Sequence, residues 1–379
     1  MEKLKIAIYP YSQEIDPVLN YIYFLTPQYE IVSLISPKGW GYANNAISLG
    51  KSESRKNIQV LSSLDDMDNS INCIFIPEFN ASEKFESDMI DNISIVLPRI
   101  TKIICAQYLK KDNLEKLQKL CVSTNGKCEL EIKNNIKTEY DYKLEIQDEE
   151  NYLENIPVPI IAVAGMWENV DKFYTSLALR DILLKNGYKV SQIGSRNYCE
   201  MLGFHSFPDF MITSQIDESK KVILFNRYIK QIYDVENPDV IIIGVPGAVQ
   251  SLNAFHTNKF GILHYLVFKA IIVDFLIMCT FYETNGKEFF KLISESCAYK
   301  FGCPADCFHM SNHLFSSISL NESNIIEYLV LSRKKVSETL LDYYKDLSIP
   351  IINVFDESGI TELYEKIIGK LTINQINIY

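Results

Sequence analysis

The sequence predicts an α/β protein made of two Rossmann-like domains with parallel β-sheets, joined by a small antiparallel hairpin region. Three observations predict this class. Short apolar runs typical of buried strands alternate with amphipathic helical stretches in both halves of the chain. The length of 379 residues exceeds the usual size of one domain. Between residues 122 and 156 the pattern changes to an alternation of apolar and polar side chains.

Residues 1–121 are predicted to form a Rossmann- or flavodoxin-like domain. Asp16-Pro17 is a typical helix start, with a capping residue followed by proline. The predicted strands are residues 5–9, 29–36, 72–77 and 102–106, and the predicted helices are residues 16–25, 82–97 and 113–120. This alternation indicates a parallel sheet with right-handed crossovers. The Gly39-Trp40-Gly41 loop follows a strand end, so Trp40 either covers a planar ligand or plugs the domain interface, and the second is favoured.

Residues 122–156 are predicted to form the hairpin region and a linker. Residues 127–133 and 140–146 alternate apolar with polar side chains, as a half-exposed antiparallel hairpin does. Residues 147–151 are acidic and predict a solvated turn. Pro157 and Pro159 then stiffen the junction with the second domain.

Residues 157–379 are predicted to form one doubly wound domain. It begins with a strand at 160–164, a loop, a helix from Lys172 to Lys185 that ends at Gly187, and a strand at 188–193. The clearest buried strand is residues 238–244. The further predicted strands are 275–281, 305–315, 325–331 and 349–355, and the further predicted helices are 219–234, 262–271, 286–300, 334–347 and 361–371.

Composition excludes some classes of function. A net charge of -11 and a pI near 5.1 argue against a nucleic-acid-binding surface. The nine cysteines are odd in number, and several lie inside apolar runs, which favours free thiols in a reducing cytoplasm. The chain enters a strand directly at its start and has no signal-peptide pattern. We therefore expect a cytoplasmic protein.

One segment, residues 262–281, is apolar enough to suggest a membrane span. It contains His264, Lys269 and Asp274, however, and each charge near the centre of a bilayer would cost ~2.5–3.5 kcal/mol. We therefore predict two buried elements, a helix at 262–271 and a strand at 275–281, and no association with a membrane.

The loop after residues 160–164 is the candidate ligand site. A loop that runs from a strand into a helix N-terminus points N–H groups and the positive end of the helix dipole outward, which suits an anion. The P-loop pattern Gly-x4-Gly-Lys-Ser/Thr does not match, because it would place Val170, Asp171 and Lys172 at its last three positions. One extra loop residue puts Lys172 in the role of the P-loop lysine, but Phe173 then replaces the hydroxyl residue. An ordinary turn with a solvated Lys172 is the alternative.

The candidate residues come from three places in the predicted second domain. The predicted ligand-binding residues are Gly165, Glu168, Asn169, Asp171, Lys172, Arg196, Gly244 and Gly247. For Arg196 the alternative is a surface ion pair. The strand at 238–244 ends in Gly244-x-x-Gly247, without the aspartate that orients magnesium in P-loop proteins, whereas Asp239 lies at the wrong end and is expected to cap the strand. No residue is predicted to be catalytic.

A second set of side chains has the chemistry of metal ligands. Cys303, Cys307, His309 and His313 would suit zinc or iron if they converged. On a strand at 305–315, at ~3.3 Å per residue, they would span too far to reach one ion. We therefore expect no metal site there. His256 and His309 are the histidines best placed to face the candidate ligand site, although each is more often a structural hydrogen-bonding residue.

Several motifs together resemble a known family, the clostridial-type peptide maturation system proteins. The motifs are Gly165-Met-Trp-Glu168-Asn169-Val-Asp171-Lys172-Phe173, Gln192-Ile-Gly194-Ser195-Arg196, Gly244-Val-Pro246-Gly247, Gly39-Trp40-Gly41 and Phe308-His309-x-Ser311-Asn312. The resemblance spans most of the chain. The second domain also resembles a degenerate member of the P-loop class that includes dethiobiotin synthetase and nitrogenase iron protein. The departures at Val170, Phe173 and Gly244 argue against hydrolysis and are compatible with the binding of a nucleotide or another anion.

The resemblance implies an accessory role in the maturation of a ribosomally made, post-translationally modified peptide. The implied partners are the precursor peptide and a radical-SAM maturase, and the expected ligand at the Gly165 loop is a nucleotide or another anion. A second hypothesis is a nucleotide-dependent ligase or kinase-like enzyme, in which Glu168 or Asp171 replaces the missing metal ligand. A third is a scaffold that binds no ligand.

Overall fold

The computed structural model consists of two compact α/β units. It describes residues 3–51, 56–80, 82–133, 144, 152–282, 286–316, 320, 326–345 and 347–376. The first unit comprises Met1–Asn135 and Arg196–Ser206, and the second comprises Ile136–Ser195 and Phe207–Tyr379. This division differs from the predicted domains mainly in the segment Arg196–Ser206, which the sequence assigned to the second domain. Its contacts explain the difference, since the backbone N–H of Thr26 donates to the carbonyl of Met201 at 2.8 Å inside the first unit.

The first unit is built on one seven-stranded sheet. Its strands are β1 (Leu4–Ile8), β2 (Tyr29–Ile35), β3 (Ala46–Leu49), β4 (Lys56–Leu61), β5 (Cys73–Ile76), β6 (Lys102–Cys105) and β7 (Glu129–Ile132). Their order in the sheet is β3-β4-β2-β1-β5-β6-β7, and all neighbours are parallel except β3 and β4. The predicted parallel Rossmann-like sheet is confirmed.

Helices cover the faces of this sheet. They are α1 (Asp16–Asn20), α2 (Glu83–Val96) and α3 (Lys111–Val122). Ser82 caps α2, since its side chain accepts a hydrogen bond from the Phe85 N–H, and the helix buries Met89 and Ile93 against the sheet. Trp40 lies within the first unit, where its ring stacks on that of Phe85 with 4.9 Å between centroids.

The first arm of the predicted hairpin is wrong. Glu129–Ile132 is not one arm of an antiparallel hairpin, because it pairs in parallel with β6 and extends the first sheet. Its alternating pattern reflects the half-exposed position of an edge strand. The second predicted arm, residues 140–146, lies outside the described residues except for the buried Leu144. An antiparallel pair occurs instead in the second unit, between β14 (His313–Phe315) and β15 (Tyr328–Val330).

The second unit contains a parallel sheet around a fully buried central strand. Its strands are β8 (Ile160–Gly165), β9 (Val190–Gly194), β11 (Val240–Gly244), β12 (Phe275–Thr280), β13 (Cys307–Met310) and β16 (Ile351–Ile352). The short strand β10 (His205–Ser206) belongs to the segment assigned to the first unit. The order β9-β11-β8-β12-β13-β16 places β8 where the chain switches from one side of the sheet to the other. Loops at the carboxyl end of such a strand are the usual ligand sites of doubly wound sheets.

The helices of the second unit agree with most of the predicted ones. They are α4 (Lys172–Lys185), α5 (Glu218–Glu236), α6 (Leu263–Ala270), α7 (Lys287–Phe301), α8 (Arg333–Thr339) and α9 (Glu357–Ile376). The predicted helix at 334–347 continues from α8 into a wide turn at Leu340–Tyr344. The apolar stretch 262–281 is divided, as predicted, into α6 and β12. Among the described residues, no helix combines the length and the apolar character that a membrane span requires.

Candidate functional site

The candidate site is the loop between β8 and α4, and Gly165 is its base. A Cβ atom added to Gly165 would lie 2.6 Å from both the Lys172 Cδ and the Trp167 carbonyl oxygen, and 2.9 Å from the Val170 Cγ2. The loop therefore curls back over the end of β8, and only glycine leaves room for it. This close approach is the physical reason for the glycine that the sequence places at the strand end.

The loop backbone has the left-handed conformation at two non-glycine residues. Asn169 has φ 59° and Asp171 has φ 60°, a region in which asparagine and aspartate are the most tolerated of the larger residues. Asp171 immediately precedes the first residue of α4, Lys172. In a P-loop with one extra residue, Asp171 thus stands where the second glycine stands, and Lys172 stands where the lysine stands.

Neighbouring loops hold this loop in place. The Met166 N–H donates to the carbonyl of Cys279 at 2.8 Å, and the Val249 N–H donates to the carbonyl of Gly165 at 2.9 Å. The indole of Trp167 stacks on Phe281, with 5.1 Å between ring centroids. Because β11, β8 and β12 are adjacent, the segments that follow them meet at one edge of the sheet and form the walls of the loop.

The loop presents backbone donors. Within the described part of the chain, no hydrogen bond is donated by the backbone N–H groups of Trp167, Asn169, Val170 and Asp171. They lie at the N-terminus of the 14-residue helix α4, where the helix dipole adds positive potential. The arrangement has the donors and the field of an anion-binding loop.

Lys172 is a buried lysine rather than the solvated one of the alternative interpretation. It is only 7% exposed. Its Nζ lies 3.2 Å from the Glu168 Oε1 and donates a hydrogen bond to the carbonyl oxygen of Gly247. The structure thus brings together Gly165, Glu168, Lys172 and Gly247 from the predicted set. The lysine amine points into the site, and a carboxylate of the loop itself balances its charge.

Asp171 is the centre of a polar cluster. Asp171 is one of the predicted ligand-binding residues, but the other members of the cluster are not. Its Oδ2 accepts a hydrogen bond of 2.5 Å from the Ser311 hydroxyl, and it lies 3.7 Å from the His313 Nδ1 and 4.0 Å from the His309 Nε2. Burial raises the pKa of Asp171, but His309, His313 and Ser311 outweigh this effect, so the pKa lies below its ordinary value. The carboxylate is therefore ionised and is held in one orientation.

Hydrogen bonds determine the tautomers of the two histidines. The His309 Nδ1 accepts from the Val354 N–H at 3.3 Å, so a neutral His309 carries its proton on Nε2, facing Asp171. The His313 Nδ1 lies 2.9 Å from the carbonyl oxygen of Asn169, which can only accept, so this nitrogen carries a proton. The motif Phe308-His309-x-Ser311 at the end of β13 was the signal in the sequence for this cluster.

The remaining glycines explain how tightly the site is built. A Cβ at Gly244 would lie 3.2 Å from the Ser176 Oγ, so this glycine lets α4 approach β11 closely. Gly247 has φ 85° and needs glycine for its conformation. Asp239 lies at the start of β11, where its Oδ2 accepts from the Lys189 N–H at 2.7 Å. This is the predicted capping role.

Arg196 lies in a different environment from the other candidates. It belongs to the first unit, where its Nη1 lies 2.7 Å from the Glu78 Oε2. Burial is the largest single influence on the pKa of Arg196 and lowers it, but the charge of Glu78 and its hydrogen bond, together with Tyr198 and Glu14, outweigh burial and raise the pKa above its ordinary value. This is the ion pair that the sequence left open as the alternative.

The cysteines and histidines that could bind a metal are separated. His309 and His313 approach Asp171, whereas Cys303 and Cys307 are buried, and burial raises the pKa of both thiols. Across the described residues there is no group of three or more His, Cys, Asp and Glu side chains able to hold a metal ion. All nine cysteines are free and buried.

Comparisons with known proteins establish the fold. No model of a known protein family matches the sequence, and no curated protein matches it. The crystal structure of a DUF1611 family protein from Anabaena variabilis is similar, with a TM-score of 0.62, 11% sequence identity, and coverage of 97% of this chain and 100% of that one. A GTPase in its apo form from Pyrococcus abyssi aligns over 56% of this chain and 97% of its own, with 12% identity and a TM-score of 0.35. At these identities the first similarity supports the α/β fold and nothing finer.

Proposed function

We propose that the second unit binds an anionic ligand, a nucleotide or another phosphate-bearing molecule, at the loop between β8 and α4. We further propose that the chain acts as an accessory protein in the maturation of a ribosomally made peptide. The observation that carries the first proposal is the loop itself. Its N–H groups at Asn169, Val170 and Asp171 donate to no described residue, and Lys172 begins the helix behind them.

The charged side chains near the loop influence which anions can bind there. Glu168 neutralises Lys172, and Asp171 adds a second negative charge at the start of α4. An incoming phosphate must therefore compete with Glu168 for the ammonium group. A ligand with several negative charges, such as a nucleoside triphosphate or pyrophosphate, competes better than one with a single charge.

Because of this competition, two substitutions are expected to change the ligand affinity in opposite directions. Lys172→Met removes the cation and is expected to weaken binding by about 10- to 100-fold, because a charged hydrogen bond contributes ~1.5–3 kcal/mol. Glu168→Gln removes the competitor and is expected to strengthen binding. Lys185→Met is the matched control, since Lys185 lies at the other end of α4 and pairs with Asp181 at the surface.

Trp167 provides the measurement, because its indole is part of the loop. The other tryptophan, Trp40, is replaced by phenylalanine. ATP, GTP and pyrophosphate are titrated with and without Mg²⁺ while fluorescence is recorded, and calorimetry checks the affinities. Equal affinity in Lys172→Met and the parent protein would refute the proposed site.

Two alternatives are separated by the same titrations. A nucleotide-dependent ligase or kinase-like enzyme needs Mg²⁺ and turns the nucleotide over, whereas the binding protein proposed here holds it without turnover. The arrangement favours binding because Gly244-x-x-Gly247 carries no carboxylate, while Glu168 and Asp171 already contact Lys172 and Ser311. Absence of binding by every probe would favour the scaffold.

The peptide-maturation role is supported by the motifs that resemble the clostridial-type maturation proteins, including the Gly165 loop and Gly39-Trp40-Gly41. The expected partners are the precursor peptide and a radical-SAM maturase. Size-exclusion chromatography of the full chain with fluorescently labelled precursor peptide tests this role. Co-elution supports it, and migration of the peptide at its free position, with and without the maturase, contradicts it. This result is independent of the nucleotide titrations.

A further inference from the structure

The second unit contains a cavity of about 420 Å³ outside the β8–α4 loop. It lies between the chain that follows β11 and the helices α6 and α7. Its walls are largely apolar and include the side chains of Val249, Phe260, Ile262, Tyr265 and Phe301. Cavities of this size and character are typical of sites for small organic molecules.

The mouth of the cavity exposes apolar surface to water. Phe260, Ile262 and Tyr265 are 49%, 56% and 47% exposed, although each is large and apolar or aromatic. Single exposed apolar residues need no explanation, but three around one cavity form a patch. A ligand with an apolar body would cover this patch as it enters.

Two polar groups lie on this apolar wall, and neither has a hydrogen-bond or ion-pair partner in the part of the chain that the structure describes. His264 is 2% exposed, and its Nε2 makes no hydrogen bond to any described residue. Lys300, near the end of α7, is exposed and pairs with no carboxylate among the described residues. Burial, and then the nearby charge of Lys172, lower the pKa of His264 to about 3, so its ring is neutral. Lys300 is thus the positive charge that lines the cavity.

We propose that this cavity binds a small carboxylic acid with an apolar, one- or two-ring or branched body. The apolar body lies against Val249, Phe260 and Phe301, and the carboxylate meets the ammonium group of Lys300 at the mouth. The neutral His264 ring adds a polar edge to the wall and does not repel the ligand. The site is distinct from the loop of the proposed function and does not depend on it.

The test blocks the cavity without straining the backbone. Gly261 lines the cavity, a Cβ added there meets no atom within 4 Å, and Gly261 does not need a positive φ, so Gly261→Leu adds a bulky side chain to the cavity lining. Gly369→Leu is the matched control, because a Cβ there also meets nothing within 4 Å and Gly369 lies on α9, outside the cavity lining. Calorimetry measures the binding of 2-naphthoate and of 2-naphthol to the full chain.

Both probes are expected to bind the parent protein. Gly261→Leu is expected to lower the affinity for both probes at least tenfold, whereas Gly369→Leu is expected to leave both affinities unchanged. Lys300→Met is expected to weaken 2-naphthoate about threefold and to leave 2-naphthol unchanged, as suits an exposed charge. Lys291→Met, on the same helix but outside the cavity lining, is the control.

Three results would overturn the inference. They are absence of binding by both probes, equal binding to Gly261→Leu and the parent, and loss of 2-naphthol binding in Lys300→Met. Lys300 is exposed, so its variant remains informative if Gly261→Leu does not fold. Binding of 2-naphthoate that is lost in Lys172→Met and retained in Gly261→Leu would place the probe at the β8–α4 loop, which contradicts the cavity and leaves the proposed function standing.

Discussion

Replacing His264 by phenylalanine should remove a specific pH dependence from the stability of the second unit. Burial, and then the charge of Lys172, lower the pKa of His264 from 6.5 to about 3. Below pH 6.5 the unfolded chain therefore takes up a proton that the folded chain refuses, so the free energy of unfolding falls as the pH decreases from about 6.5 to about 3. At pH 5 the loss amounts to about 2 kcal/mol, since one pKa unit corresponds to about 1.4 kcal/mol.

At pH 7 the variant is expected to be at least as stable as the parent, because His264 buries an Nε2 without a partner among the described residues. The difference in the free energy of unfolding between the variant and the parent should then increase by about 2 kcal/mol at pH 5. This corresponds to a difference of roughly 1 M in the urea midpoint at an m-value of about 2 kcal/mol/M. Urea unfolding is followed by Trp167 fluorescence in a Trp40→Phe background, so that the signal comes from the second unit. Tyr265→Phe is the control, since it alters the same wall and keeps every imidazole.

Parallel stability profiles for His264→Phe and the parent between pH 7 and pH 5 would refute this reasoning. They would mean that His264 is reached by water or takes up a proton in the folded protein. A loss of stability at pH 7 would have a different meaning, because it would show that the ring packs better than phenylalanine does at this position.

Two further predictions follow from other parts of the fold. Gly165→Ala places a Cβ 2.6 Å from the backbone oxygen of Trp167 and is expected to lower the free energy of unfolding by about 1–3 kcal/mol. Gly261→Ala is the control, because its Cβ meets no atom within 4 Å. Thermal unfolding compares the two variants, and equal melting temperatures would contradict the close approach at Gly165. Burial raises the pKa of Asp16 from 3.8 to about 6, although the Tyr11 hydroxyl donates to it at 2.8 Å and lowers it. The folded state then holds the proton more tightly, so the first unit should lose about 3 kcal/mol as the pH rises from about 4 to about 6, and Asp16→Asn should abolish this loss in urea titrations. An unchanged slope in that variant would contradict it.

The sequence alone determined the class of the fold and the position of the candidate loop. Runs such as Ile160–Gly165 and Val240–Gly244 are apolar throughout because a parallel strand is covered on both faces, and this signal is local. Charges divided the apolar stretch 262–281 correctly into α6 and β12. Gly165 marked the end of β8, because the loop that covers it leaves no room for a side chain.

Only the tertiary structure decided which groups meet. Ser311 is 140 residues away from Asp171, and Gly247 is 75 residues away from Lys172, so no spacing in the sequence reports these contacts. The same holds for Glu129–Ile132, whose alternation fits both a hairpin arm and a half-exposed edge strand until its partner is known. Side-chain patterns indicate how much of a helix or strand is buried, but they do not identify the element that it packs against. The neighbours, and with them the chemistry of Lys172 and Asp171, are determined by the order of strands in the sheet.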